Sequence, residues 1–169
     1  GWDEIRVSEK MYNEFLKEGR IAENNLYDAR AYGSMFFDDP YYHEGEHILG
    51  YNYDDVYYET SVTQYNFRKY MPATWDEQKQ SAVGTNMPLM RYANVLLMQA
   101  EVYNEQKHPE KAIPLINDVR RIHGKLPAMT GSDYEAVKAQ IEHERLVEFA
   151  LENSRFYDLR RWGKLDEAM

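Results

Sequence analysis

The stretch from Glu144 to Gly163 carries glutamates, arginines and an aspartate at regular intervals inside a frame of Leu, Val, Phe, Tyr and Trp. On a helix, this spacing places some of the charges on the face that packs against the rest of the chain. An arginine at such a position lays its stem on apolar surface and bonds a carboxylate through its guanidinium. The pattern therefore predicts a structural ion network that closes the end of a helical domain, not a catalytic site.

Composition restricts the class of protein. The chain has 169 residues, of which 43% are hydrophobic and 29% charged, so it is globular and fills one core or part of a larger one. No apolar run approaches the roughly 20 residues of a membrane-spanning helix. A net charge of −9 argues against nucleic-acid binding, and the lack of cysteine excludes disulfides and thiolate metal sites. The abrupt start at Gly1 leads us to expect that an upstream segment has been lost.

The two halves of the chain follow different patterns. Residues 1–88 are loop-rich and are expected to face a ligand or partner, after a short helix that Ser8 caps. Residues 28–33 predict a helix exit or a short strand, residues 36–80 a long loop, and the alternation over 64–70 a short strand. Residues 89–169 are predicted to be helical, and together the halves form one structural unit that is incomplete at both ends.

Periodicity divides the second half into four helices. The first runs to about Gln106, on an apolar face that begins at Leu89 and includes Tyr92. A second helix ends at Gly124. It contains Pro114, and because proline is tolerated only in the first turn of a helix, we expect this helix to start close to Pro114. Ser132 and Glu135 form a capping box that begins the third helix. Asn153 can take the left-handed conformation that ends it, and Ser154 begins the fourth.

The first two of these helices resemble a tetratricopeptide-type hairpin. Ala93 and Ala100 lie seven residues apart on the inner face and allow the close helix approach that such hairpins need. The predicted fold class is therefore mainly α, with tetratricopeptide-like hairpins and long aromatic-rich loops. Only about two hairpins are visible, whereas a stable stack usually needs at least three repeats, so we expect a fragment of a larger domain.

Three motifs in order resemble the C-terminal portion of SusD/RagB-like proteins: the segment 91–101, the segment 112–120 that ends in Asn-Asp-Val-Arg, and the 144–163 stretch. The resemblance covers most of the chain. It implies a SusD-like fold and a cell-surface, lipid-anchored outer-membrane protein of Bacteroidetes. It further implies capture of glycan nutrients and delivery to a SusC-like TonB-dependent transporter, without catalysis or a cofactor. The chain departs from the family pattern at Ile122 and Asn153, and family members are several hundred residues long.

Aromatic residues of the first half are the candidate ligand-binding residues, because they lie in polar, turn-rich sequence rather than on a periodic apolar face. Flat aromatic rings stack on the apolar faces of sugars, while neighbouring polar groups bond the hydroxyls. The alternative is that these rings only pack the loops onto the helices. The candidates are Tyr41, Tyr42, Tyr51, Tyr53 and Trp75, with Tyr57 and Tyr58 in the same cluster.

The acids and arginines of the second half are assigned to the structural ion network. His143-Glu144 fails the zincin motif because position 147 is Val, and glutamates along one helix face do not flank a bound sugar. The predicted network consists of Arg91, Glu101, Arg120, Glu144, Arg145, Glu148, Arg155 and Asp158.

The segment His43–His47 places two imidazoles and two carboxylates within five residues. A calcium or other divalent-metal site completed by nearby aspartates is one interpretation, but a loop lacks the fixed geometry of a helical ligand pair. A solvated acidic loop is favoured, and no metal is predicted.

Two functions remain open at this stage. The first is glycan capture of the SusD type, with contacts on the aromatic loops of residues 36–80. The second is a tetratricopeptide-like scaffold that binds a peptide or protein partner on the concave face of helices 89–123.

Overall fold

The computed structural model describes residues 6–57, 65–72, 74–79 and 84–168, and it is mainly helical. In sequence order the helices are α1 Glu9–Leu16, α2 Ala29–Ser34, α3 Pro40–His43, α4 Tyr53–Tyr57, α5 Trp75–Gln78, α6 Tyr92–Glu105, α7 Pro109–Val119, α8 Tyr134–Glu148, α9 Arg155–Arg161 and α10 Leu165–Ala168. Two short strands, β1 Met35–Phe36 and β2 Asn66–Phe67, pair antiparallel, with Met35 opposite Phe67. The strand predicted over 64–70 is thus real but reduced to two residues. Tyr58, one of the candidate aromatic residues, lies outside the described residues.

Side-chain caps set several helix starts. Ser8 caps α1 as predicted, since its hydroxyl accepts a hydrogen bond from the amide of Met11. The cap predicted for α8 was wrong by one residue: the carboxylate of Asp133, not Ser132, accepts from the amides of Glu135 and Ala136. Asp28 caps α2, so the segment expected to be a helix exit or strand starts a helix instead.

Helix α7 corrects a second prediction. Pro114 lies well inside the helix, beyond the first turn to which it was expected to be confined. It is exposed, so its ring faces solvent, and the missing amide hydrogen costs one intrahelical bond. The helix continues into a π-helical turn, Arg120–Gly124, and Lys125 takes the left-handed conformation that stops it. A Cβ on Gly124 would lie 3.1 Å from a guanidinium nitrogen of Arg30, so this glycine allows α2 to approach.

Two clusters of buried apolar residues form the core. One joins α1, α2, β1 and α3 to the C-terminal end of α8 through Val147 and Ala150. The other packs α6, α7 and α8 against one another around Leu97 and Ile116. Helix α8 therefore contributes to both clusters and connects the loop-rich first half to the helices of the second.

The α6–α7 hairpin buries Ala93 and Ala100, so the two helices contact each other at small residues, as the sequence predicted. Its outer residues differ from expectation, because Leu89 and Tyr92 were placed on the packed face yet are exposed. Leu89 precedes α6, and Tyr92 is its first residue. The resemblance to tetratricopeptide geometry stays a prediction. Among the described residues, no helix is long and apolar enough to cross a membrane.

Candidate functional site

Tyr51 is the most exposed of the described candidate aromatic residues, and its ring contacts that of Trp75. The two rings meet edge to face, with centroids 6.2 Å apart and an interplanar angle of 72°. Tyr51 is 45% exposed and Trp75 is half-buried. Thr74 positions Trp75 at the start of α5, since its hydroxyl accepts a hydrogen bond from the amide of Glu77. The structure therefore brings together two candidates that lie 24 residues apart in sequence.

Two further candidates lie in a neighbouring aromatic group. The ring of Tyr41 stacks on the imidazole of His47 at 3.9 Å between centroids. Tyr53 contacts the rings of His43 and Tyr57 at 4.8 and 4.7 Å. Both tyrosines are half-buried, so each presents only part of its surface to solvent. Burial raises the pKa of Tyr53 to about 12, so its hydroxyl stays protonated and can donate a hydrogen bond.

Tyr42 differs from the other candidates and corrects the prediction. It has no exposed surface, and its hydroxyl lies 2.9 Å from the carbonyl of Met35 and 3.1 Å from that of Tyr32. Its ring packs edge to face on Phe36 and Phe37. A ring enclosed in this way has no face left for a ligand, so Tyr42 is a core residue that fixes the loop beneath the exposed aromatics.

His43 connects two parts of the loop region. Its Nε2 lies 2.9 Å from a carboxylate oxygen of Asp38, and its Nδ1 lies 3.0 Å from one of Asp54. Hydrogen bonds to Asp54 and Asp38 raise the pKa of His43 above its usual value. Both ring nitrogens are engaged by carboxylates, while His47 is stacked on Tyr41. A calcium ion, the less favoured interpretation of this segment, would have to displace these contacts, so the arrangement fits a salt-bridged loop better.

Glu144 lies at the centre of the buried ion network. Its side chain is fully buried on α8, and its carboxylate accepts from Arg30 at 2.6 Å, Arg120 at 2.7 Å and Gln140 at 2.8 Å. Arg120 is buried as well and reaches the carboxylate of Glu18 on the other side. One carboxylate therefore joins α2, the π-helical turn and α8.

A second carboxylate, Glu148, continues the network one turn further along α8. It pairs with Arg91 at 2.7 Å and lies 2.8 Å from Nδ1 of His123. Burial raises the pKa of Glu148, but the hydrogen bond from Arg91 and the surrounding cations outweigh it and lower the pKa overall. Arg91 also bonds Glu152 at 2.7 Å, so it ties the start of α6 to the end of α8.

Arg30, Lys69 and Glu18 are among the members of the network that sequence analysis missed. Arg30 is buried between Asp28 and Glu144, and Lys69 bonds the carbonyls of Glu148 and Ala150 at the end of α8. Glu18 pairs with Arg120. The Asp-Ala-Arg sequence of residues 28–30 was a usable signal, since an acid two residues before an arginine at a helix start can cap the helix and pair with it.

The C-terminal members of the network separate into two kinds. Arg145 and Asp158 pair at 2.9 Å with both side chains buried, and Asp158 also accepts from Arg161. Glu101 pairs with Arg161 and accepts from the indole of Trp162 at 2.8 Å. Arg155, predicted to pair, makes no ion pair within the described part of the chain.

The position of Arg155 gives the reason. Its Nη1 donates only a 3.4 Å bond to the carbonyl of Glu142, and its guanidinium stands 5.6 Å from the ring centroid of Trp162. Burial lowers the pKa of Arg155. The residue therefore packs on an aromatic ring rather than neutralising an acid.

The group Glu18, His143 and Glu144 has potential ligand atoms within 4.8 Å of one another, which is metal-like spacing. The Arg120 guanidinium bonds both Glu18 and Glu144, however, and already supplies the positive charge that a cation would bring. His143 lies 2.6 Å from Glu14 through Nδ1. The cluster is thus explained by the ion network and does not require a metal.

Comparison with known proteins decides the family. The profile of the SusD family matches residues 1–169, the whole chain. The chain belongs to the SusD family. A solved SusD superfamily protein from Bacteroides vulgatus superimposes over 99% of the chain with a TM-score of 0.84 and 30% identity. This match confirms the predicted family and the mainly helical fold.

Other relatives agree but are longer. Two SusD-like proteins of Formosa agariphila, P38 and P25, are 34% and 35% identical over 93 and 103 residues, or 50% and 57% of this chain. A solved SusD-like protein from Bacteroides fragilis matches 81% of the chain at 28% identity with a TM-score of 0.57. The matched regions cover 18% and 20% of the Formosa proteins, and 35% and 28% of the solved ones. The SusD chain described here thus corresponds to about a third or less of these relatives.

Proposed function

We propose that this SusD-family chain is part of a non-enzymatic glycan-binding protein that captures oligosaccharide or polysaccharide nutrients. The protein would hand its ligand to a SusC-like TonB-dependent transporter from the outer cell surface, where a lipid anchor would hold it. Family membership supports this proposal, since the profile covers the whole chain. The contact between exposed Tyr51 and half-buried Trp75 is the observation that carries the ligand assignment.

The geometry of this pair suits a sugar ring. Two rings at a steep angle form a corner, in which one ring can stack on the apolar face of a pyranose while the other contacts its edge. Exposed carboxylates stand near the aromatic residues in sequence and could accept hydrogen bonds from hydroxyls: Asp54 three residues after Tyr51, and Asp76 directly after Trp75. Residues 1–88 would thus face the ligand, and residues 89–169 would form the scaffold.

The buried glutamates support binding rather than catalysis. A glycosidase needs an acid whose pKa is raised and a second carboxylate across a cleft. Glu144 is enclosed by two arginines, and the pKa of Glu148 is lowered by Arg91 and other cations. Neither can protonate a leaving group, and both are out of reach of a sugar.

Isothermal titration calorimetry against a panel of glycans tests the proposal. For a glycan that binds, Tyr51→Ala and Trp75→Ala should each weaken binding by about 1–3 kcal/mol, because each removes an apolar platform. Tyr157→Ala is the matched control, since Tyr157 is more exposed still but lies on α9. It should bind as the parent does, and all three variants should keep the parental melting temperature.

Two results would contradict the proposal. Equal affinity of the parent and both loop variants would remove the site from this surface. Release of shorter sugars during long incubation, detected by chromatography, would overturn the non-enzymatic assignment.

A further inference from the structure

Carboxylates flank both rings of the Tyr51–Trp75 contact, which we name the aromatic platform. Tyr51 precedes α4 and Trp75 begins α5, and the first turn of each helix carries two exposed acids: Asp54 and Asp55 in α4, Asp76 and Glu77 in α5. An extended chain spans at most about 3.6 Å per residue, so the backbone of each acid lies within about 15 Å of the backbone of its ring residue. The contact between the two rings therefore gathers four carboxylates around one surface.

Local hydrogen bonds order the turns that carry these acids. The amide of Asp55 donates to the side-chain oxygen of Asn52 at 2.8 Å, which fixes the turn directly after Tyr51. The amide of Glu77 donates to the hydroxyl of Thr74 at 3.3 Å, which fixes the turn that begins at Trp75. Each acidic turn is thus held next to its ring.

The positive charges of this loop region are mostly engaged elsewhere. Residues 36–79 contain three lysines and arginines. Arg68 and Lys69 are half-buried and bond carbonyls or carboxylates of neighbouring elements. Lys79 is exposed, and its Nζ lies 3.5 Å from a carboxylate oxygen of Asp76. Among the described residues of this range, Lys79 is therefore the only exposed lysine or arginine.

The rest of the loop region adds negative charge. Asp38, Glu44 and Glu46 are exposed as well. His43 lies between the carboxylates of Asp38 and Asp54, so its imidazolium offsets a single charge among them. Carboxylates therefore dominate the exposed charge around the aromatic platform.

A surface with one sign of charge repels ligands of the same sign and discriminates against them. A carboxylate or sulfate on a sugar at the platform would stand among like charges, whereas a hydroxyl or an ammonium group can donate hydrogen bonds to the same acids. We propose that the aromatic platform selects glycans without carboxylate or sulfate groups, that is neutral sugars and amino sugars, and excludes uronic-acid and sulfated glycans. This inference rests on the proposed function and adds the charge class of the ligand.

Quenching of tryptophan fluorescence measures the charge at the platform without any glycan. In the protein expressed from its own gene, the signal of Trp75 is the difference between the parent and Trp75→Phe. Relative to free N-acetyltryptophanamide, caesium should quench this signal about two- to fivefold more efficiently than iodide at equal ionic strength, because the acids attract the cation and repel the anion. Neutral acrylamide measures access to the ring.

A charge-removing variant and a matched control complete this measurement. Asp54→Asn combined with Asp76→Asn removes one charge beside each ring at nearly constant side-chain size and should bring the caesium-to-iodide ratio towards that of the free indole. Asp118→Asn, at an exposed acid on α7, should leave the ratio unchanged. Equal quenching of the parent by the two ions, or a ratio that the double variant does not change, would overturn the inference.

Calorimetry with glycans of matched backbone tests the ligand class itself. Oligogalacturonates and their methyl esters differ only in the charge of the carboxyl group, and sulfated and unsulfated galactans form a second pair. The neutral member should bind about threefold to tenfold more tightly than the acidic one, and the difference should narrow as salt is raised. The Asp54→Asn, Asp76→Asn variant should narrow it as well.

The results separate failure of the selectivity from failure of the proposed function. An acidic glycan that binds more tightly than its neutral counterpart, and loses affinity in Trp75→Ala, would overturn the selectivity but leave the glycan site in place. Absence of binding by every neutral and acidic glycan would refute the proposed function itself, and the selectivity with it.

Discussion

Charged and aromatic residues have opposite roles in the two halves of this molecule. In the helical half, the charges are buried and shared: Glu144 bonds two arginines, and Glu148 and Glu152 are both held by Arg91. In the loop half, acids such as Asp54 and Asp76 are largely exposed, and aromatic rings stand beside them at the surface. Burial, not residue type, separates the structural groups from the candidate binding groups.

The difference follows from sequence separation. The pairs of the network span long distances along the chain, for example 114 residues between Arg30 and Glu144 and 102 between Arg120 and Glu18. Contacts of this length form only when the whole domain has folded, so they fix how its parts meet. The Asp38–His43–Asp54 contacts span 5 and 11 residues and order only a loop.

Removal of Glu144 should have the largest effect of any single change in either region. Glu144→Ala removes one carboxylate partner from each of two buried guanidinium groups, Arg30 and Arg120, and breaking a buried pair typically costs about 3–5 kcal/mol. We expect a loss of that size in the free energy of unfolding, measured by chemical denaturation, or insoluble expression.

The matched control is Asp118→Ala. Asp118 pairs with Arg121 at 3.1 Å, but both side chains are more than half exposed, so the change should cost well under about 1 kcal/mol. Similar losses for the two variants would mean that the buried network contributes no more than a surface pair, and the contrast between the two regions would fail.

Helix α9 allows a finer test within the network. Asp158→Ala removes the partner of buried Arg145 and should cost about 3 kcal/mol. Arg155→Ala removes packing, a cation–π contact with Trp162 and a long hydrogen bond to the carbonyl of Glu142, for which about 1 kcal/mol is expected. Thermal unfolding of both variants measures the difference, and a larger loss for Arg155→Ala would show that Arg155 carries a charge contact essential to the fold.

Much of the helical half could be predicted from the sequence, for an identifiable physical reason. Helix α6, helix α8 and the left-handed Asn153 follow from local periodicity and backbone preference. The stretch from Glu144 also predicted buried ion pairs, because charges on a packing face need partners. Local pattern could not identify the partners of these charges. Arg30, which pairs with Glu144, and Glu18, which pairs with Arg120, come from the other half of the chain and are brought close only by the tertiary structure.

The candidate binding surface was predicted less completely. Tyr41 and Tyr42 are neighbours in polar sequence, yet one is half-buried against His47 and the other is fully enclosed by Phe36 and Phe37. Irregular chain has no period from which to deduce which side of a residue faces the core. The same limit explains why Tyr92, the first residue of α6, was wrongly assigned to the packed face.

The smallest expected effect concerns pH and the loop region. His43 bonds Asp54 and Asp38 through both ring nitrogens, which requires the protonated imidazolium, and these contacts raise its pKa. The groups that face the ring are the carboxylates of Asp38 and Asp54 and the phenol ring of Tyr53. Since the folded-state pKa is raised, the stabilisation is fully present below the usual value of 6.5 and is lost as the pH rises through the folded-state pKa.

We therefore expect His43→Gln to lower stability slightly in mildly acidic solution and to match the parent in alkaline solution. The ring is partly exposed, so the difference should be about 0.2–1 kcal/mol, resolved by unfolding curves between about pH 5.5 and 9. His108→Gln serves as the control, because His108 contacts one carboxylate, Glu110, at 3.1 Å on an exposed helix start. If the profile of His43→Gln ran parallel to that of the parent over the whole range, the His43 contacts would not hold the loop, and the order of the aromatic surface would rest on buried Tyr42 alone.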